Sequence, residues 1–231
     1  MSTRPLKLIS SMAARELLRE LSDQYQSATG DTVATEAAGG VDVAKRISAG
    51  EAADVVVLSD TAIDKLVAEG KVLAGSRTDL VKSGVAIAVK AGATQPDINS
   101  EDAVKQAVLA ARTLSFSTGP SGVYLEKLFA RWGILDTVKP RIVVPPPGIP
   151  VGTLVARGDA ELGFQQLSEL MNLQGITVLG PLPPEIQTLT IFAGGIVAQG
   201  SDTVRARALL DFMNTPATSA TKQRQGMEPA A

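Results

Sequence analysis

No cysteine and no histidine occur anywhere in the 231 residues. The first absence excludes disulfides, thiolate metal sites and a cysteine nucleophile. The second removes the commonest general base and the commonest metal ligand, and with them any hydrolase built on a Ser-His-acid triad. Aromatic residues are scarce, at 3%, which leaves little surface for stacking bases or sugars. Neither sign of charge dominates: the net charge is −2, with acids and bases interspersed, so the chain shows no footprint for nucleic acid. No apolar run is long enough to span a bilayer, and membrane insertion is not expected. Carboxylates do not cluster at metal-ligand spacing. Neither a metal nor a cofactor is expected.

What is present is a chain that is 45% apolar, with a core of Ala, Val, Leu and Ile. Its length suits one large domain or two small lobes, and it is enough to bury a core without covalent staples. The start, Met1-Ser2-Thr3-Arg4-Pro5, has no basic–apolar–small leader. As written, the chain is expected in the cytoplasm. If Met1 stands where a leader was removed, the mature form is periplasmic.

Short apolar runs alternate with amphipathic stretches, the pattern of a mainly parallel sheet with crossover helices. Leu6–Ile9 predicts a strand, Arg15–Ser27 a helix with Leu17, Leu18, Leu21 and Tyr25 at helical spacing, and Gly30 its stop. Val33–Ala37 is a second strand, Val41–Ala49 a helix, Asp54–Leu58 a continuous apolar strand and Ala62–Glu69 a helix. Gly84–Val89 and Leu189–Val197 are long apolar strands that bracket a middle block. Within that block, Glu101–Ala111, Ser121–Trp132 and Val151–Ala156 read as helices; Leu114–Phe116, Arg141–Val144, Leu162–Phe164 and Ile176–Leu179 read as strands. Pro145-Pro146-Pro147-Gly148 reads as a stiff loop, and Thr203–Met213 as the last helix. Two long strands around a middle block are what a two-lobe hinge protein requires; one doubly wound domain is the other reading of the pattern. The two-lobe division runs 1–83, 84–189 and 190–231, with the last segment returning to lobe one.

In open α/β sheets ligands sit beyond the carboxyl ends of strands, where helix N-termini offer free N–H groups and partial positive charge to anions. Four turns have that character. Ser10-Ser11 follows the first strand; its alternative role is helix capping. Gly39-Gly40-Val41 follows the second, where glycine permits close approach of a ligand or simply a tight turn. Ser117-Thr118-Gly119-Pro120-Ser121-Gly122 packs three hydroxyls into one strand-to-helix turn and is the most site-like stretch. It is not a phosphate loop, because no Lys-Ser/Thr pair follows its glycines. Phe164-Gln165-Gln166 places amides at a buried strand end, and a buried amide needs partners, from a ligand or from the fold. Lys45 and Arg46, on the helix after the glycine pair, either face inward to neutralise a carboxylate or line a solvated face.

Leu6-Lys7-Leu8-Ile9-Ser10-Ser11-Met12, Gly39-Gly40, Gly50–Val57, Val155–Gly163 and the closing Gly226-Met227-Glu228-Pro229 together resemble the molybdate-binding family of extracytoplasmic solute receptors. The resemblance covers nearly the whole chain. It implies an α/β, two-lobe type II periplasmic-binding-protein fold, each lobe a mainly parallel sheet flanked by helices, with the ligand in the interlobe cleft. The family normally places a hydroxyl residue in each of two first-lobe turns. Ser10 and Ser11 supply one; Gly39-Gly40-Val41 has no serine. The family's second-lobe tyrosine is missing where Phe164-Gln165-Gln166 stands. The expected site is therefore Ser10, Ser11, Gly39, Gly40, Lys45, Ser117, Thr118, Ser121 and Gln165, for a small anion: an oxyanion or, given these departures, a small di- or tricarboxylic acid. The resemblance implies a monomer that works with an ABC transporter permease if exported. Some members that resemble this family isomerise aconitate, so an isomerase of a small tricarboxylic acid is the second expectation, its catalytic base unassigned.

Overall fold

The computed structural model describes residues 4–146 and 148–230. Met1–Thr3, on which the reading of a leader rests, and Pro147, in the proline loop, lie outside the described residues. The chain runs β1 (Leu6–Ser11), α1 (Arg15–Thr29), β2 (Val33–Ala38), α2 (Gly40–Ser48), β3 (Val55–Ser59), α3 (Asp60–Ala68), β4 (Thr78–Lys90), α4 (Glu101–Ala110), β5 (Leu114–Phe116), α5 (Pro120–Arg131), α6 (Leu135–Val138), α7 (Val151–Arg157), β6 (Leu162–Gln166), α8 (Leu167–Leu170), β7 (Ile176–Pro181), β8 (Leu189–Ile196), α9 (Thr203–Met213), α10 (Ser219–Arg224) and β9 (Glu228–Pro229). It folds into two compact units: Met1–Lys82 with Ile191–Ala231, and Ser83–Thr190. β4 and β8 are the strands in which the chain passes from one unit to the other.

In the first unit β1 lies between β2 and β3, parallel to both, with Leu6 opposite Val33 and Leu8 opposite Val55. β3 pairs antiparallel with β8. Side chains alternate across a strand. Leu8, Val55 and Val57 therefore join Leu17, Leu18 and Leu21 of α1 and Leu209 and Leu210 of α9 on one face. Ile9, Val56 and Leu58 join Val43 and Ile47 of α2 and Ile63 of α3 on the other. Both faces are covered, which is why β3 reads as an unbroken apolar run. α1 ends at Gly30, whose φ of 74° is a left-handed helix cap.

The sheet of the second unit is mixed. β5 and β6 are parallel, with Phe116 opposite Phe164, and β4 is antiparallel to β6 and to β7. Phe116 and Phe164 both pack edge-on against Phe129 of α5, inside a core with Val85, Ile87, Leu114 and Leu125. The Gln187 amide clasps one residue of β4: Oε1 accepts from the Val85 N–H at 3.0 Å, and Nε2 donates to its carbonyl at 3.1 Å.

Two expectations about elements need correction. Arg141–Val144 is not a strand. Ile142 alone makes an isolated bridge to Leu114, because the prolines that follow have no N–H with which to continue a ladder. Arg141 instead donates to the carbonyls of Leu109 and Ala111 at the end of α4. β4 begins at Thr78, six residues earlier than the apolar run from Gly84; Val81 of this polar first half pairs with Pro229 of β9.

Candidate functional site

Each expected turn sits at the carboxyl end of a parallel strand. In the first unit, Ser10 and Ser11 close β1, and Gly39 and Gly40 lead from β2 into α2. A β-carbon on Gly40 would stand 3.5 Å from the Ser11 β-carbon, so the structure brings Ser11 against the start of α2. The first N–H groups of that helix have no partner within it. Ser11 is 7% exposed. It precedes the 3-10 turn Met12–Ala14 but makes no capping hydrogen bond, which removes capping as the reason for its hydroxyl.

Lys45 is not brought to this turn. Val43 and Ile47 are the buried residues of α2, and Lys45 lies about 200° around the helix from either, exposed to solvent. Arg46 is committed elsewhere: it pairs with Glu36 and, through Nε at 2.5 Å, with Glu51. Hydrogen bonds from Arg46 and Lys7 pull the Glu51 carboxyl down to about 2. Asp54 is buried, and burial pushes its carboxyl up. The Arg4 guanidinium, at 2.8 and 2.9 Å, and the N–H groups of Lys7 and Ser201 outweigh that and hold it below the usual range. These acids hold the fold together.

In the second unit, α5 starts at Pro120 with Gly119 as its N-cap. Ser117 Oγ lies 3.4 Å from Ser121 Oγ and accepts from the Gly119 N–H at 3.3 Å. Ser121 is buried and Thr118 exposed. The turn is as tight as its glycine suggests, since the Ser117 carbonyl occupies the space where a side chain at 122 would begin.

Gln165 and Gln166, which read alike in sequence, differ in the structure. With its amide oxygen accepting from the Thr190 hydroxyl at 2.9 Å, Gln166 donates to the Ser83 hydroxyl and carbonyl, both at 3.0 Å. Its role is within the fold. Gln165 is 2% exposed; its Nε2 donates to Glu169 Oε2 at 2.6 Å, and its Oε1 has no partner. Glu169, on α8, was not singled out by the sequence reading. No sequence signal marks it, because Gln165 lies at a strand end and a spacing of four brings residues together only within a helix.

Among the described residues, the buried side-chain polar atoms without a hydrogen-bond partner are Ser11 Oγ, Ser22 Oγ and Gln165 Oε1. Buried polar atoms are ordinarily paired. Ser22 lies in the middle of α1, against the core. The other two lie at strand ends beside helix starts, one in each unit. Also among the described residues, no group of three or more acids is placed to hold a metal, and no helix is long and apolar enough to cross a membrane.

The chain is 38% identical to aconitate isomerase from Pseudomonas sp, over 97% of its own length and 87% of that protein. It is 28% identical to the molybdate-binding protein ModA of Azotobacter vinelandii, over 86% of this chain and 80% of the relative. The solved structure of the periplasmic molybdate-binding protein of Azotobacter vinelandii superposes with a TM-score of 0.81 at 21% identity, covering 98% of this chain and all of the other. The fold is that of the periplasmic binding proteins. The profile of the bacterial extracellular solute-binding protein family matches residues 6–228, and the chain belongs to that family, among its members of the molybdate-binding type.

Proposed function

We propose that this protein binds a small carboxylate anion, with Ser10, Ser11, Gly39 and Gly40 the candidate contacts in the first unit and Ser117, Thr118, Ser121 and Gln165 those in the second. The observation that carries this reading is the pair of buried, partnerless atoms at Ser11 and Gln165, each beside the start of a helix. Backbone N–H groups at helix starts suit anions. Lys45, exposed on α2, is left to long-range attraction. The absence of a serine from the Gly39-Gly40-Val41 turn and of a tyrosine from Phe164-Gln165-Gln166 argues for a carboxylic acid over a tetrahedral oxyanion. As in its family, the protein is proposed to act outside the cytoplasm, as a monomer, delivering its ligand to an ABC transporter.

The 38% identity to aconitate isomerase over nearly the whole chain favours a second reading, isomerisation of a small tricarboxylic acid. Hydroxyl groups and helix-start N–H groups would stabilise the carbanionic charge that develops when a proton leaves carbon.

One tube separates the two. Thermal unfolding is followed with molybdate, tungstate, sulfate, phosphate, citrate and both aconitate isomers, and each aconitate sample is examined by NMR afterwards. Stabilisation by tricarboxylates alone is expected. Interconversion of the aconitate isomers establishes the enzyme, and stabilisation without interconversion establishes the receptor. Stabilisation by molybdate or tungstate alone overturns the carboxylate reading.

A further inference from the structure

The surroundings of Gln165 leave it an acceptor rather than one more donor. The side-chain amide has one oxygen that only accepts and one nitrogen that only donates. The nitrogen is engaged by Glu169 at 2.6 Å. Turning the amide over would set its oxygen against that carboxylate, two acceptors face to face. Glu169 thus fixes the amide with Oε1 as the atom left over, buried and unpaired.

The register places Gln165 on the strand next to the one that leads into the serine-rich turn. Phe116 and Phe164 are partners on the parallel strands β5 and β6, which run about 4.8 Å apart. The next residues are Ser117 and Gln165, at neighbouring strand ends. By alternation Gln165 belongs to the face opposite Phe164. Gln165 thus lies at the end of the strand beside the one that leads into the turn of Ser117 and Ser121, and what its free atom offers is an acceptor.

We propose that Gln165 is a specificity residue whose Oε1 accepts a hydrogen bond from an O–H on the ligand, so that the protein selects a carboxylic acid that carries such a donor. The inference rests on the carboxylate reading above and names the ligand's chemistry further. A fully ionised oxyanion has no hydrogen to offer and would meet an unmatched acceptor. The O–H has two sources, an alcohol on the ligand's carbon skeleton or a carboxyl group that stays protonated when bound. Glu169 is the titratable side chain in contact with Gln165. On the other elements packed against β6, Glu126, Lys127, Arg131, Arg157 and Lys90 are exposed and Lys82 is half-buried.

The test compares citrate with tricarballylate, the same skeleton without the hydroxyl, by calorimetry on the full chain at about pH 5 and about pH 8, values that bracket carboxyl protonation. If an alcohol is the donor, citrate binds about tenfold more tightly at both pH values, and Gln165→Leu levels the two acids. If a protonated carboxyl is the donor, the two acids bind alike, each about tenfold more tightly at the lower pH, and Gln165→Leu removes that dependence. Equal, pH-independent binding of both acids by the unaltered protein overturns the proposal while leaving the carboxylate reading intact. So does a preference that survives Gln165→Leu. Binding of neither acid, nor of either aconitate, overturns the carboxylate reading and this inference together. The comparison on the unaltered protein holds even if the leucine variant does not fold.

Discussion

The carbonyl oxygen of Ser117 lies 1.6 Å from the point where a β-carbon on residue 122 would stand, so Gly122 and the backbone of Ser117 occupy what is elsewhere a side chain's space. A backbone carbonyl inside a turn cannot swing aside as a flexible side chain can. Gly122→Ala is therefore expected to open the turn that holds Ser117 and Ser121 and to cost on the order of 2–3 kcal/mol. Urea denaturation measures the cost, and the loss of ligand-induced stabilisation reports the site. A variant of unchanged stability would show that the turn does not need this approach.

Ser11 and Ser22 form a matched pair of buried, unpaired hydroxyls. Removing either is expected to leave the ligand-free protein as stable or slightly more so, because an unsatisfied polar group is lost. Of the two, Ser11→Ala is the one expected to weaken ligand binding, by roughly 1–3 kcal/mol, and Ser117→Ala is expected to do the same. Calorimetric titration of the three variants checks this, and weakening by Ser22→Ala alone would move the site away from the β1 turn.

Asp54 anchors Arg4 and the N–H groups of Lys7 and Ser201, and its carboxyl lies below the usual range. Between its folded and unfolded values the unfolded chain holds the extra proton. Its contribution is thus fully present above about pH 4, the unfolded carboxylate value, and is lost as pH falls through the folded one. Asp54→Asn is expected to cost about 2–3 kcal/mol at neutral pH and to flatten the loss of stability in acid. Urea midpoints at several acid pH values for both proteins measure it.

Lys222 is 2% exposed and has no carboxylate partner among the described residues. Burial alone lowers its ammonium below the ordinary lysine range. The unfolded chain then binds more protons between the two values, so this residue makes stability rise with pH in that alkaline window. Lys222→Met is expected to stabilise the protein by on the order of 1 kcal/mol at neutral pH and to remove the rise. Melting temperatures from neutral to alkaline pH would show an unchanged slope if the ammonium were well solvated.

The elements of the fold were legible where burial imposed a period: the leucines of α1, the apolar run of β3 and the glycine that ends α1 are written directly in the sequence. Where pairing overrides composition they were not. Half of β4 is polar, and the short β9 that pairs with it carries a proline. Arg141–Val144 has the composition of a strand but meets prolines before it can form a ladder. For the candidate site, the hydroxyl and glycine turns stood out because they follow strands and open helices, although capping and tight turns use the same residues. Gln165 and Gln166 could not be told apart, since the distinction lies in partners far away in the chain, Ser83 and Thr190 for Gln166, and in the commitment of Gln165 to Glu169.

The second unit is one unbroken stretch, Ser83–Thr190, whereas the first is assembled from Met1–Lys82 and Ile191–Ala231. On the ribosome this fixes an order. The inserted unit has all its strands before β8 is made. The first unit must wait, with one edge of β3 unpaired and Leu17, Leu18 and Val57 lacking the cover of Leu209 and Leu210, until the last helices are synthesised. Domains generally fold as units while the chain grows. Here the unit whose first strands precede the inserted one finishes folding after it, and a polypeptide released before residue 191 would contain the inserted unit and one exposed half-sheet.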